Sequence, residues 1–320
     1  MFTTLKENRQ TTKMIKKDIF NHDIKARFQA AARDQNFRFV MADGQIRGAV
    51  VHATRMVNEM RANHELGPLE TLVLGHAYIA AALLCATLKG RNRISLAIQC
   101  SGPVKGLDVE ANAAGEVRGY LKTQKIHAAD PDQVASLSAL FGAGFLTVTK
   151  YLEDAPTPYS GQIALEYGSI AEDLAVYFLK SEQIPTGLKL SVFFDAHQKV
   201  AGAGGIFLQA MPGADPGQLA EAENILQSLD STGRTFVSGV PPQALIKKAF
   251  APLSPCFLDQ TRVEFFCRCS RDRMQGYMKS LAQDERANIL ENGPFPLEVR
   301  CHHCNSIYRF TRKDLKALLD

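Results

Sequence analysis

The apolar positions of this chain change period several times, and those changes predict its elements. Residues 37–42 and 45–51 are apolar-rich runs on either side of Asp43-Gly44. Asp-Gly between two such runs marks a hairpin, because glycine takes positive φ at no steric cost. Residues 52–64 have helical spacing and stop at Gly67-Pro68. Residues 69–88 are then almost continuously apolar, interrupted by Glu70 and His76. Such a stretch is long enough for a membrane span. Its internal histidine and its many small alanines predict instead a buried helix of a soluble protein, with no membrane partner. Residues 93–99 alternate like a strand, and 107–111 with 116–121 form a second hairpin candidate around Ala114-Gly115. Further strands are expected at 144–151, 159–166, 188–195 and 205–211, with a helix at 169–181. This mixed order predicts an α+β protein whose body has a largely antiparallel sheet.

After Met211-Pro212-Gly213 the pattern weakens. Residues 214–262 contain five prolines, with helices expected at 217–229 and 241–250. Apolar residues persist there, so the segment reads as a helical linker with a hydrophobic surface. Ile225, Leu229, Leu245 and Phe250 are expected to pack on the body and to be the client-binding residues once exposed. The four segments expected are a basic N-terminal extension (1–34), the α/β body (35–213), a metastable linker (214–262) and a C-terminal module (263–320). In that module, 263–267 and 296–300 read as strands. Ser270 is an N-cap candidate before Met274, Met278 and Leu281, and Thr311 with Asp314 forms a capping box before Leu315 and Leu318.

Charge and cysteines sharpen this picture. The net charge is +4; residues 1–38 carry nine Lys/Arg against four Asp/Glu, which leaves the remainder at −1. A near-neutral body argues against a nucleic-acid face. The first twenty residues lack the apolar core of a secretory signal and read as a solvated tail, so a cytoplasmic protein is expected. There disulfides are not the resting state. Of the seven cysteines, four fall in the pattern Cys267-x-Cys269, 31 residues, Cys301-x-x-Cys304. Two paired thiol half-sites match tetrahedral zinc, one Zn²⁺ per reduced chain. The plain alternative is a structural zinc ribbon. A switch is favoured because such a site supplies on the order of 10–16 kcal/mol to a small domain. Disulfides closing within the half-sites would return at most roughly 2 kcal/mol each, and a 58-residue module with few large apolar residues would then unfold.

The same cysteines carry a resemblance. With them go Arg47-Gly-Ala-Val-Val, Gln99-Cys-Ser-Gly-Pro-Val, Val109-Glu-Ala and Gly115-Glu-Val-Arg-Gly-Tyr120. Gly168-Ser-Ile-Ala-Glu-Asp-Leu-Ala, Ser181-Glu-Gln-Ile-Pro185 and Ala203-Gly-Gly-Ile-Phe-Leu-Gln-Ala-Met-Pro212 complete the set. Over residues 35–310 the chain resembles the redox-regulated heat-shock protein 33 family, the 33 kDa chaperonins. The resemblance implies an ATP-independent holdase rather than an enzyme, inactive while zinc is bound. It implies disulfides Cys267–Cys269 and Cys301–Cys304 on oxidation, zinc release, linker unfolding, binding of unfolding client proteins, and a homodimer in the oxidised state. The proline-rich linker with Cys256 departs from the charged linkers of that family.

Other readings are weaker. Arg268, Arg271 and Arg273 beside the cysteines would suit a zinc-ribbon nucleic-acid binder, but no aromatic stacking motif accompanies them. Cys301-x-x-Cys304 lacks the βαβ setting of a thiol oxidoreductase. His302 and His303 are expected to be solvated rather than ligands, Cys256 uninvolved, and Cys85 a packing residue with Cys100 similar to it. Glu172 and Asp173 are expected to serve a helix N-terminus. Gly202-x-Gly204-Gly205 has no following helix and is no phosphate loop.

Overall fold

Two sheets enclose one long apolar helix, and the helices of residues 216–249 cover the far side of one of them. The computed structural model describes residues 13–127 and 137–319. Its elements, in order, are α1 (Ile24–Arg33), β1 (Gln35–Met41), β2 (Ile46–His52), α2 (Thr54–His64), α3 (Pro68–Leu84), β3 (Arg93–Cys100), β4 (Gly106–Asn112) and β5 (Glu116–Leu121). There follow α4 (Ser138–Phe141), β6 (Gly144–Tyr151), β7 (Tyr159–Ala164), α5 (Ile170–Ser181), β8 (Thr186–Phe194) and β9 (Val200–Ala210). The C-terminal part comprises α6 (Pro216–Ser228), α7 (Thr232–Val237), α8 (Pro242–Ala249), β10 (Cys256–Arg262) and β11 (Glu264–Phe265). It ends with α9 (Arg271–Lys279), α10 (Gln283–Asn292), β12 (Leu297–Arg300), β13 (Ile307–Phe310) and α11 (Arg312–Leu319).

The first sheet has strand order β10-β1-β2-β9-β8 and the second β11-β5-β4-β3-β6-β7. Pairing is antiparallel throughout both except for β11 on β5, which is parallel. The α+β expectation with largely antiparallel sheets therefore holds. The first hairpin turns where expected: Ala42 and Asp43 take left-handed φ of 52°, and Gly44 takes +85°. Helix α3 packs on β2, β8 and β9 from one sheet and on β3, β4 and β5 from the other. That placement explains its all-round apolar sequence. With its terminal 3₁₀ turn it is long and apolar enough to cross a membrane, yet it is 78% buried inside the protein.

Residues 216–253 lie on the outer face of the first sheet, and β10 continues from them into its edge. There Ala222, Leu226, Phe236, Ile246, Phe250 and Leu253 form a second core with Phe39, Ile46, Val50, Ile206 and Leu208. The glycines of β9 make this possible. A Cβ on Gly202 would stand 2.1 Å from the Gly233 carbonyl oxygen, and one on Gly204 would stand 2.3 Å from the Phe236 ring. They are a seat for α7, fixed by the Thr232 hydroxyl donating to the Gly204 carbonyl at 2.9 Å. Lys189 reaches the last carbonyls of α6, at 3.2 Å from that of Leu226 and 3.1 Å from that of Gln227, a cationic C-cap.

Several expectations change. β10 was not expected inside the linker; it pairs with β1 as an edge strand. β9 begins at Val200 rather than 205, and the strand expected at 263–267 covers only Glu264–Phe265. The basic extension is structured from residue 13: α1 is a helix capped by Asp23, and residues 13–20 run across α2. The start of the tail lies outside the described residues. Asp173 serves the α5 terminus as expected, accepting from the amides of Glu166, Tyr167 and Ser169 at 2.8, 3.0 and 3.1 Å.

Candidate metal centre

Each half-site is positioned by the ends of short strands. Cys267 and Cys269 leave β11 just before Ser270, whose hydroxyl caps α9 by accepting from the Arg273 amide at 3.2 Å. Cys301 and Cys304 form a knuckle between the paired strands β12 and β13. Here the Cys304 and Asn305 amides fold back on the Cys301 carbonyl at 3.3 and 2.7 Å, and Asn305 takes φ of 54°. The expected capping box closes the module: the Thr311 amide donates to Asp314 at 2.8 Å, and the Asp314 amide to the Thr311 hydroxyl at 3.2 Å.

The four sulfurs converge within 4.8 Å of one another. Cys267 lies 3.8 Å from Cys301, and Cys269 lies 3.3 Å from Cys304. Four thiolates at about 2.3 Å around a tetrahedral zinc ion would be about 3.8 Å apart, so the cluster is already near the size of that cage. All four residues are buried, at 1, 5, 8 and 0% exposure in chain order. Their protonation states pull apart. Hydrogen bonds from the Cys269, Cys301 and Cys304 thiols hold Cys267 far below its ordinary value, against burial, with Arg118 adding to the effect. Hydrogen bonding to Cys267 and Cys269 pushes Cys301 and Cys304 well above theirs. Four sulfurs this close cannot all ionise without a cation at their centre, which is the chemistry of a divalent metal site.

A surrounding layer, invisible to the spacing argument, holds the sulfurs. Arg118 Nη1 is 3.7 Å from Cys267 Sγ and is itself paired with Glu110. The Tyr308 hydroxyl is 3.1 Å from Cys269 Sγ, and the Ser306 hydroxyl 3.2 Å from Cys304 Sγ. Asn63 Nδ2 donates to the Cys304 carbonyl at 2.7 Å, and the Gly119 amide to the His303 carbonyl at 3.1 Å. Thus the knuckle rests directly on α2 and β5. Arg118 sits within the segment Gly115–Tyr120, and Ser306 and Tyr308 follow Cys304 at alternating positions, one just before β13 and one within it. Asn63 carried no local signal.

The remaining residues fall outside the cluster. His302 is exposed as expected, whereas His303 is half-buried with its ring 5.6 Å from that of Tyr120. Cys256 is exposed on β10, and Cys85 is buried in the core, where burial pushes its thiol up to about 12. Of the four expected client-binding residues, Phe250 is fully buried, while Ile225, Leu229 and Leu245 are half-buried against the same second core.

Known proteins resemble this chain over most of its length. The family model described as Hsp33 protein matches residues 34–311. A 33 kDa chaperonin of Desulforamulus reducens is 35% identical over 289 residues, covering 90% of this chain and 97% of the relative. A 33 kDa chaperonin of Agathobacter rectalis is 34% identical over 289 residues, covering 89% and 99%. The crystal structure of a 33 kDa chaperonin (heat shock protein 33 homolog) from Thermotoga maritima is similar with a TM-score of 0.81 at 29% identity, covering 90% of this chain and 98% of that one.

Proposed function

Since the chain belongs to the Hsp33 protein family, we propose that it is a redox-regulated, ATP-independent holdase of the cytoplasm, without enzymatic activity. The observation that carries this reading is the convergence of four buried thiols, unbridged, on a module seated against the linker-bearing body. In this reading residues 35–213 are the body, 214–262 the releasable linker and 263–320 the switch, preceded by the extension 1–34. Cys267, Cys269, Cys301 and Cys304 hold one zinc ion in the reduced chain. Zinc bound there supplies the charge that keeps four thiolates ionised and tied together.

Peroxide is the oxidant. Two thiolates give two electrons to one hydrogen peroxide, which takes up two protons and leaves as two waters, and one S–S bond forms. Two such events yield Cys267–Cys269 and Cys301–Cys304. Each disulfide joins neighbours in sequence, so the link between the two halves of the module is lost. The module then loosens from α2 and β5, β10 and the linker helices lose their anchor, and Phe250 with Ile225, Leu229 and Leu245 becomes available to unfolding client proteins. The same exposed surface is where an oxidised homodimer would form. Two of the three cations that would front a zinc-ribbon nucleic-acid binder are engaged otherwise: Arg268 pairs with Glu116 at 2.7 Å, and Arg271 with Asp314 at 3.1 Å.

Light scattering of a heat-unfolding client tests the reading. Peroxide-treated protein should suppress aggregation without ATP, and reduced protein should not. Reduced protein should carry one zinc per chain, lost in the double variant Cys267→Ser/Cys301→Ser. Equal protection before and after oxidation would refute the switch.

A further inference from the structure

The N-terminal residues 13–20 precede the family match at 34, and they touch the residues that position the sulfurs. The Ile15 amide donates to the Ser306 hydroxyl at 3.0 Å, the same hydroxyl that stands 3.2 Å from Cys304 Sγ. The Tyr308 hydroxyl, 3.1 Å from Cys269 Sγ, is 3.3 Å from the Lys13 carbonyl oxygen. The Cys267 amide points at the Met14 sulfur, 3.1 Å away. Asn63 joins the two sides: its Nδ2 donates to the carbonyls of Cys304 and Ile15, at 2.7 and 3.0 Å, and its Oδ1 accepts from the Lys17 amide at 2.7 Å.

The segment then leaves the module. Lys16 pairs with the buried Glu59 at 2.7 Å, with its ammonium 5.6 Å from the centre of the Phe265 ring in β11. Ile19 and Phe20 line a cleft of 250 Å³ with His52 and with Phe236 and Val237 of α7. One strap therefore spans the metal module, α2 and the linker. Most of its bonds use main-chain atoms, which fix its path whatever its side chains are.

The geometry points to a clasp. The bonds of residues 13–15 to Ser306, Tyr308 and the Cys267 amide exist only in the closed arrangement, so they hold the module shut and slow its opening. Coupling of this kind is reciprocal: whatever the clasp adds to closure, closure adds to docking of the clasp. Loss of the metal frees the segment, and the threshold for opening is set partly by a piece of chain outside the shared fold. This inference rests on the metal-switch reading above.

The test uses the full chain, reduced and zinc-loaded, with its zinc content measured. Ile15→Pro removes the amide that donates to Ser306 and perturbs the neighbouring bonds. Loss of one or two such hydrogen bonds should raise amide exchange over residues 301–310 by about tenfold. In the unmodified chain, trypsin cleavage after Lys16 and Lys17 should rise by a similar factor when a chelator strips the metal. Peroxide should release zinc faster from Ile15→Pro, while the fully oxidised variant protects a client as well as the parent chain. Exchange within twofold of the parent, or cleavage indifferent to metal removal, overturns the clasp. A chain that carries no zinc refutes the metal reading instead, and the exchange comparison still decides the clasp.

Discussion

Replacing Phe250 by alanine should open the linker without any oxidant. The side chain is 0% exposed in the second core, among Phe39, Ile46, Val50 and Leu208 on the sheet side and Leu226 and Ile246 on the linker side. Truncating a buried phenylalanine costs about 3–5 kcal/mol, from lost transfer energy and the cavity left behind. At 1.4 kcal/mol per decade, that multiplies the local opening constant by roughly a hundred to a few thousand. Leu229 is only half-buried, and Leu229→Ala should cost about 1 kcal/mol, half or less of a full leucine burial. Its opening constant should rise only about fivefold. The linker is held on one face of one sheet, so it should open well below the global unfolding energy. The assay is fluorescence of an apolar dye on reduced, zinc-loaded protein, with amide exchange followed over residues 216–253. Phe250→Ala should bind dye and protect a client while all four cysteines stay reduced; Leu229→Ala should do neither measurably. Equal dye binding by the two variants, or a lowered melting temperature with no local exchange in 216–253, would show that the linker does not open as a separate unit.

Three further outcomes follow from the structure. Cys301–Cys304 should form before Cys267–Cys269, because the one-turn knuckle closes a larger and less strained ring; disulfide mapping during a peroxide time course checks this, and dominant cross-pairs would refute it. Burial lowers His76 from 6.5 to about 4; the unfolded chain binds this proton first, so the histidine's stabilisation is complete above pH 6.5 and fades as pH falls toward 4. That effect is at most about 3 kcal/mol, and His76→Gln should flatten the pH dependence of urea midpoints over that range, an unchanged slope counting against it. Asp173→Ala strips the acceptor from three amides ahead of α5 and should lower stability by about 1–3 kcal/mol, read as a drop in the thermal midpoint without loss of zinc.

The parts legible in the sequence are those whose cause is local. Asp43-Gly44 announces its hairpin by backbone freedom, and Thr311 with Asp314 announces α11 by reciprocal capping. The cysteines announce their site by spacing alone. The parts missed depend on distant partners. β10 has polar residues on both faces, including Asp259, Gln260 and Arg262, and is a strand because β1 offers it an edge. Three glycines hide the first half of β9; for Gly202 and Gly204 the reason, the close seat of α7, lies some thirty residues further along, whereas Gly205 lies against Ile79 and Leu83 of α3. Residues 13–17 show no periodicity because their main chain makes most of the contacts, and Asn63 joins the site only because α2 ends beside the knuckle.

Under the proposed switch, the seam between the two sheets has a consequence for recovery after oxidation. β10 borders the first sheet and β11 the second, with the fully buried Val263 between them. A ten-residue ribbon, Cys256 to Phe265, thus sets two registers at once: Arg262 opposite Gln35, and Glu264 opposite Glu116. As long as β10 stays on β1, the detached module remains leashed one residue from its landing place, at high effective concentration. It need not search for its alignment, since a slip by one position would turn Phe265 from the core to solvent. The ribbon acts as a memory of the resting state, and a chain that loses β10 as well should return slowly, with mismatched closures among its products.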